Sequence, residues 1–80
     1  MKIQDFNHMC DLFDELIDNS YLEYNMSVID GESILSRVYK KINGRIENKI
    51  LSYLLVYKIH ILNEEYESAK EVKHLIINKF

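Results

Sequence analysis

Apolar side chains recur along most of the chain at steps of three and four, the period of a helix that buries one face. The first such block starts near Asp5 and takes in Phe6, Cys10, Phe13, Ile17, Tyr21 and Tyr24, with Met9, Leu12 and Leu16 widening the stripe. Its outer face is acidic, and Asp5 is placed to act as the N-cap at the positive end of the helix dipole. The pattern leaves the end of this helix open. Asp18-Asn19-Ser20 can stop it, and from Leu22 to Val28 polar and apolar residues alternate as they do in a strand.

Asp30-Gly31 punctuates the chain, and a second helical pattern follows in Leu35, Val38, Ile42, Ile46, Ile50, Leu54, Tyr57 and Ile61. This phase runs straight through Asn43-Gly44, a strong turn signal. An unbroken helix from Glu32 to Leu62 would be about 45 Å long at 1.5 Å per residue, more than a compact chain of this length holds. A break at Gly44 gives helices of similar length, whereas no break implies an extended, paired molecule. Asn63-Glu64-Glu65 marks the next reversal. The last helix has acids early, Lys70, Lys73 and Lys79 later, and an inner face of Tyr66, Ala69, Val72, Ile76 and Phe80 with Leu75 beside it.

Within this series Ile50–Leu62 is the most apolar stretch, and its apolar positions go all the way round the helical wheel, interrupted only by Lys58 and His60. Such a helix is buried on most sides by its own domain or by a second chain. The expected fold is therefore all-α: one domain over residues 1–80, a small bundle of three or four helices closed by a C-terminal antiparallel helical hairpin. The alternative is α+β, with Leu22–Val28 and Leu54–Ile61 as strands, which would need a dimer because two strands are marginal alone.

Charge changes the picture more by its distribution than by its total of −3. Residues 1–33 carry Asp5, Asp11, Asp14, Glu15, Asp18, Glu23, Asp30 and Glu32 against Lys2, while residues 34–49 carry Arg37, Lys40, Lys41, Arg45 and Lys49 against Glu47. Arg37, Lys41 and Arg45 advance by four, so on a continuous helix they form one basic ridge. Phosphate or nucleic-acid contact is one use of it. Pairing with the acidic first helix, within the fold or between subunits, is the favoured one, since the chain is acidic overall and no stacking aromatics interleave the ridge. No apolar run reaches the roughly 18 residues of a membrane span, the first residues lack the charge pattern of a signal peptide, and Cys10 stands alone. A soluble cytoplasmic protein is expected. The absence of proline and the heavy use of Ile, Asn, Lys and Tyr suit an A/T-rich genome, that of a low-GC bacterium, a phage or a mobile element.

Asn63-Glu64-Glu65-Tyr66-Glu67-Ser68-Ala69-Lys70-Glu71-Val72-Lys73-His74-Leu75-Ile76, preceded by an apolar helix, resembles the UVR motif, the helical hairpin of the nucleotide-excision subunits UvrB and UvrC. The matching features are an acidic residue, an aromatic and a Glu at the turn, then a small residue and the aliphatic Val72. The chain departs from the motif at Lys70, where a second small residue is usual, and at Lys73-His74, where the family has Arg-Asp. The resemblance covers Ile50 to Lys79 and implies a protein-docking element that pairs with another hairpin, with no chemistry of its own.

Candidate chemistry is sparse. His8 and Cys10 sit near Asp5, Asp11 and Asp14, but two residues apart on a helix they face different ways, and His8 with Asp11 makes only two ligands on one face. No metal is expected, and Cys10 fits the apolar stripe as a small hydrophobe. His60 and His74 have no Ser, Cys or paired carboxylate at a catalytic spacing, so neither a catalytic residue nor a cofactor is expected. Tyr21, Tyr24, Tyr39, Tyr53, Tyr57 and Tyr66 are many for a small core, and tyrosine favours interfaces. The expected function is a non-enzymatic, self-associating protein-interaction module that docks a protein partner or a second copy on Tyr53, Tyr57, Ile61 and Tyr66. An accessory nucleic-acid-binding factor using Arg37, Lys41 and Arg45 is the alternative.

Overall fold

The computed structural model describes residues 1–18, 22 and 31–80, with side chains from Ile34 onward in the second part. Among the described residues there are four helices, α1 (Ile3–Leu16), α2 (Gly31–Ile42), α3 (Asn48–Leu62) and α4 (Tyr66–Lys79), and no strand. The fold is an all-α bundle with α3 and α4 as an antiparallel hairpin. Leu54–Ile61 is helical, which removes the α+β alternative. Tyr21, residues 23–28 and the punctuation at Asp30 lie outside the described residues.

α1 begins two residues before the expected cap. Lys2 occupies the N-cap position without a side-chain hydrogen bond, and the Phe6 N–H reaches the Lys2 carbonyl at 3.1 Å. Asp5 is thus not the cap. It stands in the first turn, where its charge still suits the free N–H groups. The helix stops at Leu16 because Ile17 turns extended, at φ −134° and ψ 109°, and points its side chain into the core.

The pattern through Asn43-Gly44 is carried by a turn. Asn43 and Gly44 both take left-handed backbone, at φ 53° and 81°, and Arg45 N–H closes on the Ile42 carbonyl at 3.2 Å. Ile42, Ile46 and Ile50 are all buried even so. Their four-residue spacing is met by a chain that leaves the helix after Ile42 and re-enters it at Asn48, so the same face is kept while the axis changes. The continuous 32–62 helix is excluded: the longest dimension of the molecule is 33 Å, and the radius of gyration of 11.9 Å matches the about 11.6 Å of a compact chain this long.

α3 ends in a Schellman motif. Glu64 is left-handed at φ 59°, its N–H donates to the Ile61 carbonyl at 3.1 Å, and the Glu65 N–H donates to the His60 carbonyl at 2.8 Å. The His60 Nδ1 also meets Glu65 Oε1 at 3.1 Å across the turn.

One apolar cluster joins the elements: Phe6, Phe13 and Ile17 from α1 and its end, Leu22 from the connection that follows, Ile34, Val38 and Ile42 from α2, Ile46 from the turn, Ile50, Leu51, Leu54 and Leu55 from α3, and Ile76 from α4. Lys58 completes the join between α1 and α3. Its Nζ lies 2.8 Å from Asp14 Oδ1 and 5.8 Å from the centre of the Phe13 ring. Asp14 stands in the last turn of α1, the negative end of the dipole, where the helix has no cation of its own. Lys58 supplies one from α3. Tyr66, expected on the inner face of α4, is exposed, as are Leu75 beside that face and Val56 on α3.

The two turns make a paired prediction. A Cβ on Gly44 would meet nothing within 4 Å, so Gly44→Ala should destabilise only through the left-handed backbone, by about 1 kcal/mol. Glu64→Gly should do the reverse and stabilise by up to about 1 kcal/mol, the released strain being partly offset by the entropy of a freer unfolded chain. Urea unfolding of the two variants should shift the midpoint in opposite directions.

Candidate protein-docking site

α4 lies close against α3 because Ala69, fully buried, presents only a methyl group at the crossing. The same small residue leaves room above it. Between the helices, Tyr57, Ile61, Tyr66, Ala69, Lys70, Lys73 and His74 line an open cavity of about 320 Å³. Its lining is polar and apolar in equal measure: the Tyr57, Ile61, Tyr66 and Ala69 side chains on one hand, Lys70, Lys73 and His74 on the other.

Three of the four residues expected to dock a partner meet in this groove. Ile61 and Tyr57 are half-buried on the α3 side, and Tyr66 opens the α4 side with 62% of its surface exposed. Tyr57 is held from behind by Phe6 of α1, edge to face with ring centres 5.2 Å apart. Tyr53, the fourth, does not line the groove. It packs against Phe80 at 5.6 Å between ring centres, accepts a 2.8 Å hydrogen bond from Lys79 Nζ on its hydroxyl, and carries the Lys79 charge 4.9 Å from its own ring centre.

The latter three were not singled out in the sequence. Lys70, Lys73 and His74 follow the i, i+3, i+4 rule for one helix face, and that spacing was available as a signal. Lys73 is half-buried, with its Nζ 5.4 Å from the centre of the Phe6 ring. Lys70 and His74 are exposed.

The anticipated basic ridge is split by the turn. Arg37 and Lys41 lie exposed on α2 and each already has an interaction within the chain, while Arg45 falls in the turn after Gly44 and so leaves the helix face that the other two share. The acidic α1 meets a cation at Asp14, and that cation is Lys58 of α3.

Cys10 is half-buried between α1 and α3. Burial pushes its thiol up, Lys58 opposes the shift, and Asp14 and Asp11 reinforce it. The Tyr57 phenol is also raised, first by burial and then by Cys10, again against Lys58. The Cys10 environment therefore favours the neutral thiol rather than a nucleophilic thiolate. His8 is exposed and borders a second cavity, of about 320 Å³, with Met1, Asp5, Met9, Ile50 and Phe80. Among the described residues no three His, Cys, Asp or Glu side chains come together as metal ligands would. None of the described helices is long and apolar enough to cross a membrane.

Comparison with protein-family models, with curated proteins and with solved structures finds no match for this chain.

The raised thiol and phenol set an alkaline limit. Unfolding returns them to their ordinary values of 9.0 and 10.0, so above about pH 9 the unfolded chain gives up protons that the folded one keeps. Their contribution to stability is complete below that pH and is lost as pH rises through the folded values. The urea midpoint should hold from neutrality to about pH 9 and fall beyond it, and Cys10→Val should remove the first part of the fall. Identical alkaline profiles for the variant and the parent would overturn the assignment to Cys10.

Proposed function

We propose that the chain is a non-enzymatic helical protein-interaction module that self-associates, and that the α3–α4 groove is its docking surface. The observation that carries this reading is the groove itself: aromatic and aliphatic side chains set among two lysines and a histidine, with Tyr66 standing 62% exposed at its edge. Tyrosine at such a place offers a large, stiff contact surface and a polar tip, the features of interface anchors. The likeness of the hairpin to the UVR motif points the same way, since that hairpin works by docking on another. A cytoplasmic setting accords with the free, half-buried Cys10, which suits a reducing compartment. A phage or another mobile element of A/T-rich composition is the source this reading favours, with the protein as a small modulator that acts by contact.

Nucleic-acid binding through Arg37, Lys41 and Arg45 draws less support. Two of those side chains already have interactions, and the third has left their face.

The test is the solution mass as a function of concentration. The parent chain should grow from monomer toward dimer between micromolar and millimolar concentration, and Ile61→Glu, which puts a charge on the groove wall, should weaken association by about tenfold or more with helicity by circular dichroism unchanged. An Ile61→Glu protein that associates like the parent would remove the groove from the interface.

A further inference from the structure

Resting on that reading, the charges on the surface of the molecule name the occupant of the groove. Lys70 and Lys73 take part in no ion pair among the described residues, and they place two cations beside the aromatic and aliphatic side chains of the groove, with His74 next to them. The fitting occupant is a helix that carries an apolar side chain at one end and carboxylates about two turns further on. The chain itself presents such a helix. On the outer face of α1, Ile3, Asn7, Asp11 and Glu15 follow each other at four-residue steps and form a single ridge, with all four exposed and Ile3 58% so. Asp11 and Glu15, like the two lysines, are in no ion pair among the described residues, whereas Asp14 beside them is taken by Lys58.

The spans agree. Ile3 and Asp11 are eight residues apart, about 12 Å along a helix, and so are Tyr66 and His74. We propose that the groove of one copy receives the α1 ridge of a second, running in the same direction as α4, with Ile3 against Tyr66 and Ile61, Asp11 against Lys73 and His74, and Lys70 and Glu15 each about one turn to either side of that contact. Each copy owns one groove and one ridge, so a two-fold dimer makes the contact twice and closes on itself. The arrangement also gives the acidic first third of the chain a use: its exposed carboxylates select for the one surface that is cationic and apolar together. Charges at such a rim act more on encounter and register than on bulk affinity, so the contact is salt-sensitive.

Charge exchange between two full-length variants tests this. Lys70→Glu/Lys73→Glu reverses the groove, and Asp11→Lys/Glu15→Lys reverses the ridge. At low salt each variant alone should associate at least about tenfold more weakly than the parent. An equimolar mixture should recover the parent's association, because in the mixed dimer the reversed groove meets the reversed ridge and the unaltered pair meets as before. Sedimentation velocity reads all three samples, with circular dichroism as the check on folding. Lys73 touches Phe6, so if the double lysine variant loses helicity the exposed Lys70→Glu takes its place in the same mixture. A mixture that stays as weakly associated as its components overturns the ridge-in-groove contact. If Ile61→Glu has abolished association in the same assay, the groove still stands as the docking surface, with a different occupant. A parent chain that remains monomeric up to millimolar concentration overturns this contact and the self-association reading together, and an associating parent whose Ile61→Glu variant is unaffected removes the groove and this contact with it.

Discussion

The burial of α3 is the constraint on which the other elements depend. Leu51 and Leu54 are fully buried, Ile50 and Leu55 nearly so, and each such side chain is worth about 1.5–3 kcal/mol when withdrawn from water. A helix with apolar residues on every side cannot be covered by one neighbour. α4 lies along it as the second arm of the hairpin, α2 returns against it through the Asn43–Gly44 turn, and α1 supplies Phe6, Phe13 and Ile17 across the remaining opening. The three covers are all amphipathic, and each donates a single apolar stripe.

What this cover leaves out is as informative as what it includes. Polar groups near the core are matched: among the described residues no buried side-chain nitrogen or oxygen lacks a hydrogen-bond partner. Lys58, whose side chain is only 12% exposed, has its ammonium accommodated by Asp14 and by the nearby Phe13 and Tyr57 rings. Such an ion pair with an exposed carboxylate is worth about 1 kcal/mol or less, so its main effect is to tolerate a charge at the α1–α3 seam and to fix how α1 sits. Two parts of α3 are left less covered: the side of Val56, which is exposed, and the flank at Ile61, half-buried where Ala69 leaves room.

Much of this was legible from the chain alone. The four-residue spacing of Ile42, Ile46 and Ile50 announced a shared buried face, and Asn43-Gly44 announced where the axis would turn. The pattern could not say which would prevail, because a turn with two left-handed residues can keep the face that a helix would keep. Tyr57, Ile61 and Tyr66 were named from the sequence as positions beside an over-apolar helix, and they meet in one groove, two half-buried and Tyr66 exposed. Tyr53 was not separable from them, since its partner Phe80 and the Lys79 ammonium come from the far end of the chain. Lys58 looked like an interruption of the apolar run, because its carboxylate partner lies on another helix. Leu75 and Val56 are exposed because they fall on helical faces that no neighbour covers.

The Schellman turn at Glu64 also bears on how the groove is held together. It joins α3 and α4 through only Asn63, Glu64 and Glu65, so the hairpin contacts are local and cost little loop-closure entropy. Docking α1 requires Phe6 to find Tyr57, about fifty positions away, a far larger closure. The two walls of the groove are therefore joined by the shortest connection in the described chain, while α1, which backs Tyr57 through Phe6, is held to them only across a long stretch of sequence.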